Sequence, residues 1–596
     1  MSALSLLLLA STAAYSLAQR WRSDAPTMQL TPSAQFSSEH YRFFYNAEDH
    51  SLAKVQSFAE ERERLWQQMT ARLEAKPPAE KIQFYLHSTF EQKRSRGNGR
   101  DEFNADPGKA AVAAVWNEIF PRVELLPDAQ VLVQQVWDSP AHSFLGLSAA
   151  AYAAGTWRRK PIAQWGPQIT YEEGPYALDF LANAESGGSR GGNFLSPLVR
   201  RPLAGEFARW IISRWGLETF RELYSTAQSP LVRSIALSLD LSPQELESAW
   251  RRWLREQAKT YSPELRAATS QRPFFQRGVS FTQEGRRRGG GYDSSGMGDV
   301  LASLRRLGVD SIALVPFSFM PGPDVPELIR FSGESDAGIN NTTFRARRLG
   351  MKVMLKPHIW LRGGLFPGDV HLQNKRERDL WFFRYRQWIF HNARLAEWNG
   401  SDLFCIGNEL REMTRYETEW RDLIATVRRI YHGPITYGAH WEKEFEKLPF
   451  WDAVDYIGLN NYFPLTRNGD ASATALQKGA DEVLRRVERL QRRWGRPVLL
   501  TEVGFPSKRG GVTEPWNNRV SSIVDVEEQA RAYEAIFQSF YGKPWFYGMY
   551  WWKWYSTGAG GGPEDGRFNP RNKPAGAVMS RWYRKPVSQS SSIEKR

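Results

Sequence analysis

The carboxyl-terminal half of this 596-residue sequence predicts a (β/α)8 TIM barrel of the α/β class, preceded by a separate α+β domain. Three observations carry the prediction. The first is a cadence in which a helical stretch ends in Gly and an apolar strand follows at once, as in LASLRRLGVDSIALVP (301–316), RARRLGMKVMLKPH (345–358) and LQRRWGRPVLLTE (490–502). Gly308, Gly350 and Gly495 stand where a left-handed helix terminus belongs, which glycine adopts without a Cβ clash. The second is a count of eight strand candidates, at 274–281, 310–316, 352–358, 402–409, 434–440, 453–462, 497–504 and 545–554. Strands alternating with helices make parallel βα units, and eight units close a barrel. The third is length, since one core rarely exceeds about 250 residues.

From the amino terminus, residues 1–18 hold an apolar run from Leu4 to Ala18 that is shorter than the ~20 residues of a spanning helix. It reads as a secretory signal with Ser16-Leu17-Ala18 as a cleavage site, although no Lys or Arg precedes it, or as an uncleaved anchor. The expected location is therefore exported, periplasmic or secreted, with membrane anchoring as the alternative. Residues 19–36, polar and Pro/Ser-containing, read as a linker.

The first domain spans 37–260. Strands at 40–46 and 81–87 flank a helix over 52–73, and helices at 205–227 and 242–257 close the unit. A second linker at 261–273 lacks periodicity, the barrel occupies 274–584, and 585–596 reads as a disordered tail.

Composition narrows function. The 79 Lys and Arg against 65 Asp and Glu give a net charge of +14, with short basic runs at 93–100 and 285–291. No zinc knuckle, phosphate loop or recognition helix accompanies them, so nucleic acid is not an expected partner. An anionic glycan or membrane surface suits the charge equally well. The single cysteine, Cys405, lies inside an apolar strand and excludes both an internal disulfide and a cysteine metal site. No cofactor motif is present.

The chemistry concentrates where strands end. In LFCIGNELRE (403–412) an apolar strand runs into Asn408 and Glu409, and in VLLTEVGFP (498–506) another runs into Glu502. Barrel active sites lie at the C-terminal ends of strands. The fourth and seventh strands face each other across the barrel, so the two carboxylates can meet. A pair of carboxyls about 5–5.5 Å apart hydrolyses glycosides with retention, one as proton donor and one as nucleophile. The Asn408 amide suits a sugar 2-hydroxyl. Taken singly, either glutamate is as readily a rim ion-pair partner.

With these motifs stand RGVSF (277–281), VMLKPHIW (353–360), PFWDAVDYIGLNNYFPLT (449–466), GRPVLLTEVGFPS (495–507), DVEEQARAYEA (525–535) and YGMYWWKW (547–554). Together they resemble glycoside hydrolase family 113, a clan A family of retaining β-mannanases. The resemblance implies Glu409 as acid/base, Glu502 as nucleophile and a β-1,4-linked polysaccharide or oligosaccharide, mannan first, as substrate. Tyr462 matches the clan position whose hydroxyl orients the nucleophile, or is a core tyrosine. His358 and Trp360 end the third strand, where they can contact a sugar, or His358 is equally a satisfied structural histidine, and Trp441 follows the fifth. Clan A places an aromatic platform on the eighth strand. Alternation sets Trp551 opposite Trp552 and Trp554, and Trp552 is favoured. Two features depart from the family: the helix at 337–350 is poor in apolar residues, and the loop at 556–574 is positioned to reshape the cleft. A non-catalytic glycan-binding or envelope scaffold that kept its barrel is the competing reading.

The first domain resembles MA-type (gluzincin-like) metallopeptidases in TYEEGPYALDFLA (170–182) and GEFARWIISRWGLETFRELY (205–224). That family holds zinc with His-Glu-x-x-His on a helix, and no His-Glu pair occurs in this chain. Gln134-Gln135, in a helix expected over 129–142, stands near its place, and Glu173 matches the third ligand. The resemblance therefore implies a metal-free pseudo-peptidase with no cluster of three metal ligands within 37–260.

Overall fold

The computed structural model describes residues 32–97, 99, 101–184, 194–262, 273–283, 291–330 and 334–587. The signal or anchor segment, most of both linkers, most of the tail and nearly all of the second basic run lie outside the described residues. Among the described residues no helix is long and apolar enough to cross a membrane.

The first domain opens on a five-stranded sheet in the order Ala34–Ser37, Tyr41–Tyr45, Ile82–His87, Ala111–Val115, Phe103–Asp106. The inner three strands are parallel and both edges antiparallel. The edge strand at 34–37 takes in the last residues expected to be linker. The helix Leu52–Leu73 covers the sheet with Val55, Phe58, Trp66 and Met69, and Ser51 caps its start. The helix expected over 205–227 is two, Pro197–Trp215 and Leu217–Thr226, because Gly216 turns the chain at φ +92°. The last helix, Pro243–Ala258, starts on a Ser242/Glu245 capping box.

All eight strands expected from the cadence form one closed barrel, with parallel pairing throughout. In chain order they are Gln276–Thr282, Ser311–Leu314, Lys352–Leu355, Leu403–Asn408, Ile435–His440, Tyr456–Asn461, Val498–Val503 and Phe546–Tyr555. Gly308, Gly350 and Gly495 all take positive φ. The interior is filled by Ala313, Met354, Leu403, Cys405, Tyr456, Leu499, Tyr547 and Tyr550. Phe404 and Ile406, alternating with them, join the outer cluster that runs on into the first domain. The third strand is shorter than expected. After Leu355 the chain leaves the barrel, and His358–Leu361 pairs with Phe317–Met320 in a small sheet at the C-terminal ends of the strands.

The helix expected to be short of apolar residues is Asp336–Arg348, and its contacts explain its composition. It is buried against the first domain, not only against the barrel. Asn340 Nδ2 donates to Glu102 Oε1 at 2.9 Å, and Phe344 meets Phe120 edge-on at 5.8 Å. Asn341 and Thr342 both donate to the Tyr292 carbonyl. The first domain also grips the following helix, Lys375–Asn399. Arg394 reaches Glu172 and Glu173, and the Arg158 guanidinium lies 3.9 Å over the Trp398 ring. Ser196 Oγ stands 2.8 Å from His391 Nδ1.

Candidate active site

The strand that carries Glu409 is built to turn it into the mouth. Its pairing with the fifth strand shifts register between Cys405 and Asn408. Gly407 faces outward there, and a Cβ would lie 2.8 Å from Trp420, Tyr385 and Tyr437, so only glycine fits. The bulge rotates Asn408 inward, where its Oδ1 accepts from Asn460 Nδ2 at 3.0 Å. Gly438 leaves room for that side chain, since a Cβ would stand 2.4 Å from Asn408 Oδ1. Glu409 follows at φ +53°.

Glu502, 4 % exposed, ends the seventh strand between two fixed donors. Tyr462 Oη donates to Oε2 at 2.8 Å. Lys356, fully buried, donates to Oε1 and reaches the Thr501 carbonyl at 3.2 Å. Thr501 Oγ1 donates to Asn460 Oδ1, which joins the two glutamate-bearing strands through Asn460. Burial pushes the Glu409 carboxyl up to about 8, the Glu502 charge adds to the rise, and Asn460 and Lys356 oppose it. One carboxyl is thus held protonated near neutrality beside another that has a cation and a phenol to stabilise its charge.

The other expected residues divide. Among the described residues, the buried Asn408 Nδ2 has no hydrogen-bond acceptor. Both His358 ring nitrogens are likewise enclosed and unpaired. Burial holds that imidazole down to about 4, with Lys356 and Lys553 acting in the same direction and Glu502 against it, so it is neutral. Trp360 lies on the small outer sheet beside Phe317 with 47 % of its surface exposed. Trp441, half-buried, stacks on Trp516 at 5.1 Å. Trp552 is half-buried with the Lys553 ammonium 4.8 Å from its ring, and its Cβ lies beside Gly504 just past Glu502. Alternation fails on this strand. Its register shifts between Trp551 and Trp554, and both of those rings join the outer apolar cluster, Trp551 stacked on Tyr533 at 3.5 Å. Trp552 alone of the three is left half-exposed.

Sequence reasoning missed Lys356, Asn460 and Trp516. A lysine interrupting the apolar run KVMLKPH was a signal for the first, because a charge inside a buried strand needs a partner.

The first domain shows no convergence of the peptidase-like positions. The helix expected over 129–142 runs Leu126–Trp137. Gln134 donates to Ser139 Oγ and Gln135 to the Glu80 carbonyl, while Glu173 binds Arg394 and Tyr176. The expectation of no three-ligand cluster is corrected, since Glu39, His40 and Glu63 place ligand atoms within 4.8 Å of one another. Glu63 there accepts from Ser38 Oγ and the His40 backbone, and its Oε2 lies 2.6 Å from His40 Nδ1. These hydrogen bonds account for the cluster without a metal.

The chain is similar to known proteins over its barrel half. No curated protein matches it in sequence. A GH113 β-mannanase from Alicyclobacillus acidocaldarius is 28% identical over 52% of this chain and 97% of its own, with a TM-score of 0.48. A GH113 β-1,4-mannanase is 24% identical over 52% of this chain and 100% of its own, also at 0.48. A glycoside hydrolase family 5 mannosidase from Rhizomucor miehei is 12% identical over 52% and 92%, at 0.38. The model of Glycoside Hydrolase Family 113 matches residues 279–560, from the first barrel strand to just past the eighth, and the protein is a glycoside hydrolase acting on O-glycosidic bonds.

Proposed function

We propose that the protein is a retaining glycoside hydrolase acting on a β-1,4-linked polysaccharide, β-mannan first, by double displacement. The observation that carries the reading is the opposed state of the two carboxyls, Glu409 holding a proton and Glu502 held by Lys356 and Tyr462. In the first step Glu502 attacks the anomeric carbon while Glu409 gives its proton to the leaving oxygen. In the second, Glu409 as carboxylate takes a proton from water, which attacks the same carbon and releases Glu502. Asn408 Nδ2 suits the sugar 2-hydroxyl, neutral His358 a neighbouring hydroxyl, and Trp552 the ring face; Trp360 and Trp441 suit sugars further along the chain. Mannan is taken from the family match and the motifs that agree with it.

The first domain, on this reading, is a degenerate peptidase that serves as a scaffold. Glutamines at 134 and 135 and the engagement of Glu173 by Arg394 support that role. Export follows from the apolar run at Leu4–Ala18.

The experiment is a panel of mannan, glucomannan, cellulose, xylan and acidic polysaccharides, with products identified and their first-formed anomer followed by NMR, for wild type and Glu502→Ala. A β-product from a β-linked mannan, absent in the variant, supports the proposal. An initial α-product or no product from any glycan contradicts it.

A further inference from the structure

Glu409 lies in the left-handed region, which a non-glycine residue holds only when its surroundings fix it. Two hydrogen bonds to the fifth strand do so. Glu409 N donates to the Gly438 carbonyl at 2.8 Å, and Leu410 N donates to Tyr437 Oη at 2.8 Å. A tyrosine hydroxyl has one proton, and here it goes to Glu444 Oε1, 2.6 Å away. Glu444 Oε2 accepts from His440 N at 2.7 Å. Both Tyr437 and Glu444 are buried, Tyr437 wedged edge-on against Trp420 and Phe450.

A neutral acceptor would serve the Tyr437 hydroxyl as well as a carboxylate does. What the carboxylate adds is charge in a buried place. The groups that face Glu444 are Tyr437, Tyr385, His440, Thr414 and Arg411, and the Arg411 guanidinium is already shared with Asp369 and Glu442. The charged groups that face Glu409 are Glu502, Lys356 and Glu444 itself.

We infer that Glu444 is a positioning residue for Glu409: through Tyr437 it locks the backbone that aims the carboxyl, and it stands behind that carboxyl as a second negative charge. Burial brings the Glu444 group up to about 7, so it ionises over the range in which the enzyme must keep Glu409 protonated. The inference rests on reading Glu409 as the proton donor.

The test compares wild type, Glu444→Gln, Tyr437→Phe and Glu409→Ala on polysaccharide and on an aryl glycoside whose leaving group needs no protonation. Glu444→Gln should cut polysaccharide kcat by about tenfold or more and move the alkaline limb of kcat/KM to lower pH by about half a unit or more. Tyr437→Phe, which changes one atom, should lower polysaccharide kcat while leaving glycosylation by the aryl substrate within about threefold. A residue that only supports the fold would lower both substrates alike. Equal losses on both substrates, or an unmoved alkaline limb in Glu444→Gln, overturn the inference. Should Glu444→Gln fail to fold, the substrate split in Tyr437→Phe decides. If Glu409→Ala keeps full polysaccharide activity, the reading of Glu409 falls. If it loses that activity while the Glu444 and Tyr437 variants behave as wild type, only the inference falls.

Discussion

Lys356, the residue just past the third barrel strand, and Glu502 of the seventh form an ion pair in which the lysine is fully buried and the glutamate nearly so. Leaving one partner of such a pair behind costs more than the pair itself contributes, because the remaining charge is desolvated and uncompensated. In this site the remaining charge would be Glu502, the nucleophile of the proposed reaction. Lys356→Met should therefore lower kcat on polysaccharide by about 10²-fold or more. Steady-state kinetics with the Tm measured alongside check it, and a kcat that falls no further than the loss of folded protein would show that the lysine serves only the fold.

Glu409 should make the protein less stable as pH rises. Its folded-state pKa lies above the usual unfolded value of about 4.3. A group raised in this way contributes stability that is fully present below the unfolded value and is lost as pH climbs through the folded one, near 8. Glu409→Gln removes that dependence. Its apparent Tm should match wild type at pH 4 and exceed it by about 2 °C or more at pH 8. Thermal unfolding across that range is the measurement, and a variant less stable than wild type at pH 8 would contradict the burial of the acid.

Arg394 ties the domains together with less than a tenth of its side chain exposed, against Glu172 and Glu173 that are buried as deeply. Arg394→Ala strands two carboxylates and should cost about 3–5 kcal/mol, or about 5 °C or more in apparent Tm. The triple change Arg394→Met, Glu172→Gln, Glu173→Gln should recover most of that loss. For the same reason residues 273–587 expressed alone should be insoluble, since the helix Asp336–Arg348 would expose Phe344 and its buried amides. A soluble, active barrel half would refute the interdependence.

Activity should survive metal removal. Dialysis against a chelator is expected to leave kcat within twofold of the untreated enzyme, and purified protein is expected to carry no stoichiometric zinc. Zinc retained on Glu173 or on the Glu39, His40 and Glu63 group would overturn the scaffold reading of the first domain.

The barrel was legible because its signals are local. Each Gly that ends a helix, each apolar run and each acid at a strand end can be read within about ten residues, and all eight strands appear where that grammar puts them. What was not legible depends on long-range contact. The polar helix Asp336–Arg348 looked anomalous because its partner, Glu102, lies 238 residues away. Lys356 was passed over because Glu502 is 146 residues further on. The alternation expected at Trp551–Trp554 fails where this strand's pairing with the first shifts register. Gly216, which divides a periodic helical pattern, was a local signal misread, as was the lysine inside KVMLKPH.

The central claim is the division of labour between the two glutamates, and azide rescue tests it most directly. Glu409→Ala should lose polysaccharide hydrolysis by several orders of magnitude yet keep the glycosylation step on an aryl glycoside with a good leaving group. Azide should then restore its turnover and give a glycosyl azide of retained configuration. Glu502→Ala should lose both substrates, and azide should give at most an inverted product. Reversed stereochemistry between the two variants would exchange the roles, and full polysaccharide activity in Glu409→Ala would contradict the account.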